Sequence, residues 1–198
     1  LGPARTPSQA LGPLWSRCQH RQILYSMALD PTGKNRPRPQ CPGLRVAAVV
    51  SRFHGDLTGA MVESARSELL AGGVAPDDFH TLWVPGAFEL PLAAKRLAQN
   101  PAVDVVLCFG LVLKGQTRHD IVVADAAAAG IVRASLDTDT PILFGVLTCE
   151  TLEQARSRAL SVDAGGHEDK GREVGRAALE MMEALDEVRS LSARTTTS

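Results

Sequence analysis

The sequence predicts a three-layer α/β/α sandwich built on a parallel sheet of about four strands, and two observations carry that expectation. Short apolar runs alternate along the chain with segments whose apolar residues recur every three or four positions, and glycine or proline marks most changes of period. A buried strand and an amphipathic helix leave those two signatures. Their alternation demands right-handed crossovers between parallel strands, with helices on both faces of the sheet.

Residues 46–50, Val-Ala-Ala-Val-Val, form the first strand. Leu57, Met61, Ala65 and Leu69, at steps of four, give the next segment one apolar helix face, which Gly72-Gly73 ends. The second strand covers residues 79–84, Pro85-Gly86 punctuates it, and a helix follows over residues 88–99. Residues 103–109 are the most continuously apolar stretch and make the third strand; a helix over 121–136 comes after it. Pro141 opens the fourth strand, 142–147. Thr151-Leu-Glu-Gln154 has the form of a capping box, in which Thr151 bonds the backbone of a starting helix while Gln154 reaches back. Val174, Ala178, Met181, Leu185 and Val188, at steps of three and four, make the closing helix amphipathic, and residues 190–198 should fray.

Residues 1–43 read differently. They hold seven of the twelve prolines and no sustained period, so they form a tail ahead of one domain over residues 44–189. Residues 1–26 contain no acid and carry Arg5, Arg17 and Arg21, a composition that suits either a targeting segment or an unrelated leader.

Composition then removes several classes of function. With 44% hydrophobic and 22% charged residues the chain can bury a sizeable core, unlike a disordered or collagenous one. Six Lys/Arg against the single acid Asp30 in residues 1–43 leave the rest of the chain at about −6, a sign that disfavours nucleic acid as a partner. No apolar run is long enough to span a bilayer. Cys18, Cys41, Cys108 and Cys149 have neither metal-site spacing nor the density of a disulfide scaffold, which points to reduced thiols in a cytoplasmic setting.

In open parallel sheets ligands bind beyond the carboxyl ends of the strands. That rule selects Arg52-Phe53-His54, residues 85–89, residues 110–119, and Thr148 onward. The stretch from Gly110 to Thr117 has the glycine spacing of a P-loop, but Gln116 stands where the phosphate-binding lysine must be, which argues against a nucleotide triphosphatase. What remains is a Gly-x-Thr turn opening a helix, which is either an ordinary tight turn or a set of N–H groups offered to an anion. His119 at the rim of the same crevice could give and take protons. Phe53 could stack on a flat heterocycle or belong to the core. Glu89 could bind a ligand or merely complement a helix start, and Arg158 could clamp a phosphate or be solvated. His20, His80 and His167 have no comparable setting, and no metal-ligand spacing occurs.

Arg52-Phe53, Val84-Pro-Gly-Ala-Phe-Glu-Leu-Pro91, Gly110-x-Val112-x-x-Gly115-x-Thr117-x-His119, Phe144-Gly-Val-Leu-Thr148, Glu153-Gln-Ala-x-x-Arg158-Ala and Lys170-Gly171 resemble, in order, the lumazine synthase family, over about residues 44–186. The resemblance implies a flavodoxin-like fold. It also implies a cofactor-free and metal-free step of riboflavin synthesis, in which 5-amino-6-ribitylaminouracil and 3,4-dihydroxy-2-butanone 4-phosphate condense to 6,7-dimethyl-8-ribityllumazine. By that resemblance Phe53 stacks on the pyrimidine, and Ala87, Phe88 and Glu89 hold the ribityl chain. Val112 and Leu113 line the site, and Gly115, Gln116 and Thr117 receive the phosphate with Arg158. His119 shuttles protons, and Phe144, Arg158 and Lys170 come from a neighbouring subunit of a homopentamer. Two positions depart from the family pattern. His54 follows Arg-Phe where asparagine is usual, and Asp120-Ile121 follow His119 where an aromatic and then an acid are usual. A catalytically weakened lumazine- or flavin-binding scaffold of the same fold, and an unrelated flavodoxin-like binding module, are the alternatives. Residues 160–169 are longer than the compact loop of shell-forming relatives, which implies a free pentamer.

Overall fold

The computed structural model describes residues 36–195. Four strands, β1 (Val46–Ser51), β2 (Phe79–Val84), β3 (Val105–Leu113) and β4 (Ile142–Cys149), pair in parallel in the order β2-β1-β3-β4. Helices α1 (Gly55–Ala71), α4 (Leu152–Ala159) and α5 (Lys170–Thr195) cover one face, and α2 (Leu90–Ala98) with α3 (His119–Thr138) the other. This is the three-layer sandwich expected from the alternation of periods, with the flavodoxin-like fold that the resemblance implies.

Successive strand residues point to opposite faces. Val46, Ala48 and Val50 of β1, with Val105, Leu107 and Phe109 of β3, therefore pack toward α1 and α5, while Val49, Val106 and Cys108 pack toward α2 and α3. Both central strands have two buried faces, which is why their sequences are continuously apolar. The Thr58 hydroxyl donates to the Ser51 carbonyl at 2.8 Å and ties the start of α1 to the end of β1. At the other end the Gly72 N–H closes on the carbonyls of Glu68 and Leu69, and Gly73, at φ +89°, turns the chain away.

The seam between α1 and α5 is closer than side-chain packing would allow. Gly171 and Gly175, one turn apart on α5, face Met61 and Ala65, one turn apart on α1. A Cβ on Gly175 would lie 2.8 Å from the Ala65 carbonyl oxygen, and one on Gly171 would overlap the Met61 carbonyl.

Several boundaries and one cap differ from the sequence expectation. β3 runs on through Gly110 to Leu113, where a loop was expected, because Gly110 pairs in register with Val146. Its missing side chain admits Leu90, whose Cδ1 would be 3.0 Å from a Cβ there, so this glycine serves close packing rather than a phosphate loop. The Thr151 hydroxyl caps the Gln154 N–H at 3.2 Å as expected, but the Gln154 side chain returns to the N–H of Glu150, one residue earlier than in a capping box. Helix α5 continues to Thr195, past Ser190 where fraying was expected. Residues 36–43, read as tail, lie against the domain. Cys41 is buried in the α1/α5 core and its N–H bonds the Gly72 carbonyl at 2.8 Å. The readings made for residues 1–26, Cys18 and His20 fall outside the described residues.

Glu68 on α1 holds this segment down. Its carboxylate is buried and receives Arg38 through two hydrogen bonds, 2.7 and 3.0 Å, with Arg172 and Arg176 of α5 each at 3.4 Å. Burial alone would raise its pKa. The Arg38 hydrogen bond, with the charges of Arg38 and Arg172 and a hydrogen bond from Arg176, outweighs that and holds it below the ordinary glutamate value. A carboxylate with a depressed folded-state pKa stabilises the fold above its ordinary pKa, and loses that contribution as pH falls through the depressed value. Glu68→Gln should therefore cost about 2 kcal/mol at neutral pH, and the gap from the unsubstituted chain should close in strong acid. Urea denaturation at the two pH values checks both.

Candidate active site

β1 and β2 continue to pair beyond their last residues. The Arg52 N–H bonds the Val84 carbonyl at 2.8 Å and the Phe53 N–H bonds that of Pro85 at 3.3 Å, which carries Phe53 alongside the Pro85-Gly86 turn. The Gly86 N–H then donates to Glu89 Oε2 at 2.9 Å, closing the single 3-10 turn Ala87–Glu89 that leads into α2. Glu89 thus fulfils the helix-start reading at one oxygen, while its side chain also forms part of a wall described next.

Beyond the carboxyl ends of β1, β2 and β3 lies a cavity of about 620 Å³. One wall is aromatic, from Phe53 and Phe88, which are 66% and 59% exposed and so belong to the cavity rather than the core. Gly86, Ala87 and Glu89 form the side. Leu111, Val112 and Leu113 of β3 form the floor, and Gly115, Thr117, His119 and Asp120 lie at the start of α3. Thr117 Oγ1 accepts the His119 N–H at 3.4 Å and helps open the helix. The N–H groups of Gly115, Gln116 and Thr117 bond no described residue, and they stand at the positive end of a 20-residue helix. Asp120, the acid displaced by one position from the family pattern, lines the same cavity as His119.

Of the residues selected from sequence, Phe53, Ala87, Phe88, Glu89, Val112, Leu113, Gly115, Thr117 and His119 come together here. Gln116 is exposed in the adjoining turn without lining the cavity. Phe144, Arg158 and Lys170 lie elsewhere on the chain. Phe144 is 43% exposed on the edge strand β4. Arg158 pairs with Glu168 at 3.5 Å, and Lys170 with Glu173 at 2.7 Å. Leu111, inside the selected stretch 110–119, also lines the cavity, and sequence reasoning missed Val122 and Val123. The signal for the two valines was available, since they stand one helical turn beyond His119.

Among the described residues no group of His, Cys, Asp and Glu could hold a metal ion, and no helix is long and apolar enough to cross a membrane. Cys108 and Cys149 are free thiols and buried, and Cys41 is buried with its Sγ 3.9 Å from the Leu179 carbonyl oxygen. Burial pushes the Cys108 thiol up to about 12 and also raises that of Cys149, which removes both as nucleophiles at neutral pH.

Residues 43–186 match a family model described as 6,7-dimethyl-8-ribityllumazine synthase. Proteins of that name from Thermus thermophilus and Gemmatimonas aurantiaca are similar to this chain. The first is 43% identical over 146 residues, 74% of this chain and 90% of the relative. The second is 41% identical over 148 residues, 75% of this chain and 88% of the relative. One from Protochlamydia amoebophila is 39% identical over 144 residues, 73% and 81% of the two chains. The matched region contains every residue that lines the cavity together with the four strands, and the chain belongs to the 6,7-dimethyl-8-ribityllumazine synthase family.

Proposed function

We propose that this chain is an enzyme of riboflavin biosynthesis, a transferase that condenses 5-amino-6-ribitylaminouracil with 3,4-dihydroxy-2-butanone 4-phosphate to 6,7-dimethyl-8-ribityllumazine, phosphate and water. The observation that carries the reading is the meeting, in one cavity, of two exposed aromatic side chains, a turn ahead of a helix whose N–H groups bond no described residue, and the histidine that begins that helix. Phe53 offers its face to the pyrimidine ring. Ala87, Phe88 and the Glu89 carboxylate border the ribityl chain, and Val112 and Leu113 exclude water beneath the reacting atoms. Gly115, Gln116 and Thr117 take the butanone phosphate at the α3 start. Holding two substrates together supplies much of the acceleration. His119 relays protons as the amine adds to the ketone, as phosphate leaves, and as the ring closes. Asp120 keeps an acid beside His119, which favours an active enzyme over a scaffold that only binds.

Phe144, Arg158 and Lys170 reach such a site only from a second copy, and this supports a homopentamer with shared sites. The apolar Val122, Val132 and Leu136 exposed along α3 suit burial against neighbouring copies. The long segment 160–169, with Val162 exposed in a 3-10 turn, favours free pentamers over closed shells. Light scattering giving five chains supports this, and hollow shells as the main species would refute it. The free thiols of Cys108 and Cys149 suit the cytoplasm.

Release of one phosphate per butanone phosphate, only when the pyrimidine is present, tests the reaction; phosphate release independent of the pyrimidine would contradict it. Arg158→Ala should raise the KM for the butanone phosphate about tenfold or more and that for the pyrimidine little, because a guanidinium pairs bidentately with phosphate. Equal shifts in both would remove Arg158 from the phosphate site.

A further inference from the structure

We propose that His54 is a positioning residue for the pyrimidine side of this site, its imidazole holding the Phe53 ring in the orientation that stacks. The inference rests on the reading above that Phe53 is the stacking face.

Two ordinary reasons for a residue at position 54 do not account for a histidine. The backbone there is left-handed, at φ 59° and ψ 44°, a conformation that histidine shares with glycine, asparagine and aspartate and that calls for no imidazole in particular. Position 54 is also the N-cap of α1, where Ser, Asp or Asn side chains ordinarily bond the first turn, yet the imidazole makes no capping hydrogen bond. The backbone carbonyl does the structural work instead, accepting the N–H groups of Leu57 and Thr58 at 3.0 Å each.

What the ring does is meet Phe53. The centroids are 4.7 Å apart and the planes cross at 76°, an edge-to-face pair. The turn that presents both rings is fixed from the opposite side. The Arg52 guanidinium lies over Trp83 at 5.8 Å from the ring centroid, and Gly55 and Gly59 approach the same indole within 4.0 and 3.6 Å of where a Cβ would be. Arg52 and Gly55 are therefore seated on Trp83, while Phe53 faces the cavity with two-thirds of its surface open. An aromatic side chain so exposed has few neighbours to select its rotamer, and among the described residues His54 supplies its one ring contact. A ring held beforehand loses less freedom when the pyrimidine stacks on it.

Titration calorimetry with the ribitylaminouracil, alongside steady-state kinetics with both substrates, tests this on the full chain. His54→Asn removes the ring and keeps a residue that tolerates the left-handed turn and can cap α1. It should weaken pyrimidine binding about two- to tenfold, with kcat, the KM for the butanone phosphate and the Tm nearly unchanged. His54→Phe, which restores a ring edge, should recover most of the binding. In a Phe53→Ala background His54→Asn should have no further effect. Weakening by Phe53→Ala but not by His54→Asn would overturn the role of His54 and leave the stacking site standing. An effect of His54→Asn that persists without Phe53 would also overturn it. If Phe53→Ala itself leaves binding unchanged, the stacking reading fails and the inference with it. Absence of condensation by the unsubstituted chain would count against the proposed reaction alone, since binding is read independently.

Discussion

His119→Ala should lower kcat roughly ten- to a thousandfold while the KM for either substrate changes little. His119 is the first residue of α3 and lines the cavity together with Phe53 and Phe88, where the proposed reaction needs a proton relay. Its removal leaves in place Phe53, Phe88 and Glu89, which are proposed to hold the substrates, and proximity alone would retain part of the acceleration. An interaction needed only in the transition state is lost from kcat and kcat/KM together. Single-turnover and steady-state kinetics on the purified variant check it, and an unchanged kcat would remove His119 from the mechanism.

Gly171→Ala carries the largest expected effect on stability. Its added methyl would overlap the Met61 backbone carbonyl, and neither partner is a flexible side chain that could swing aside. The methyl must push α5 off α1 along a seam that also buries Leu69, Val174 and Ala178. Overpacking of this kind costs about 3 kcal/mol, equivalent to a fall in Tm of about 6 to 12 °C for a domain of this size. Lys170, which is proposed to reach a neighbour's site, sits next to this glycine, so activity should fall with stability. Thermal unfolding followed by circular dichroism measures the first part; a Tm within about 2 °C of the unsubstituted chain would show that the seam can relax.

The order of elements was legible because burial writes period into sequence. β1 and β3 are buried on both faces and read as unbroken apolar runs, and Leu57, Met61, Ala65 and Leu69 trace the buried side of α1. The end of β3 was not legible, since Gly110 looks like loop punctuation while its reason is the close approach of Leu90 from α2 on that face of the sheet. The packing of residues 36–43 was hidden for a similar reason. Its anchors are Cys41 and the Arg38–Glu68 pair, isolated contacts with no period of their own. Within the site, residues that follow strand ends were found by the topological rule, because the sheet itself gathers them. Val122 and Val123 escaped, as apolar residues in a helix look like core until the cavity beside them is seen.

The central claim is that this cavity joins two substrates into a lumazine. Mixing the purified chain with 5-amino-6-ribitylaminouracil and 3,4-dihydroxy-2-butanone 4-phosphate, and following the appearance of lumazine fluorescence, tests it most directly. The account predicts catalytic turnover, many lumazines per chain, strongly reduced by His119→Ala. Tight binding of the pyrimidine with no lumazine beyond the uncatalysed rate would contradict it.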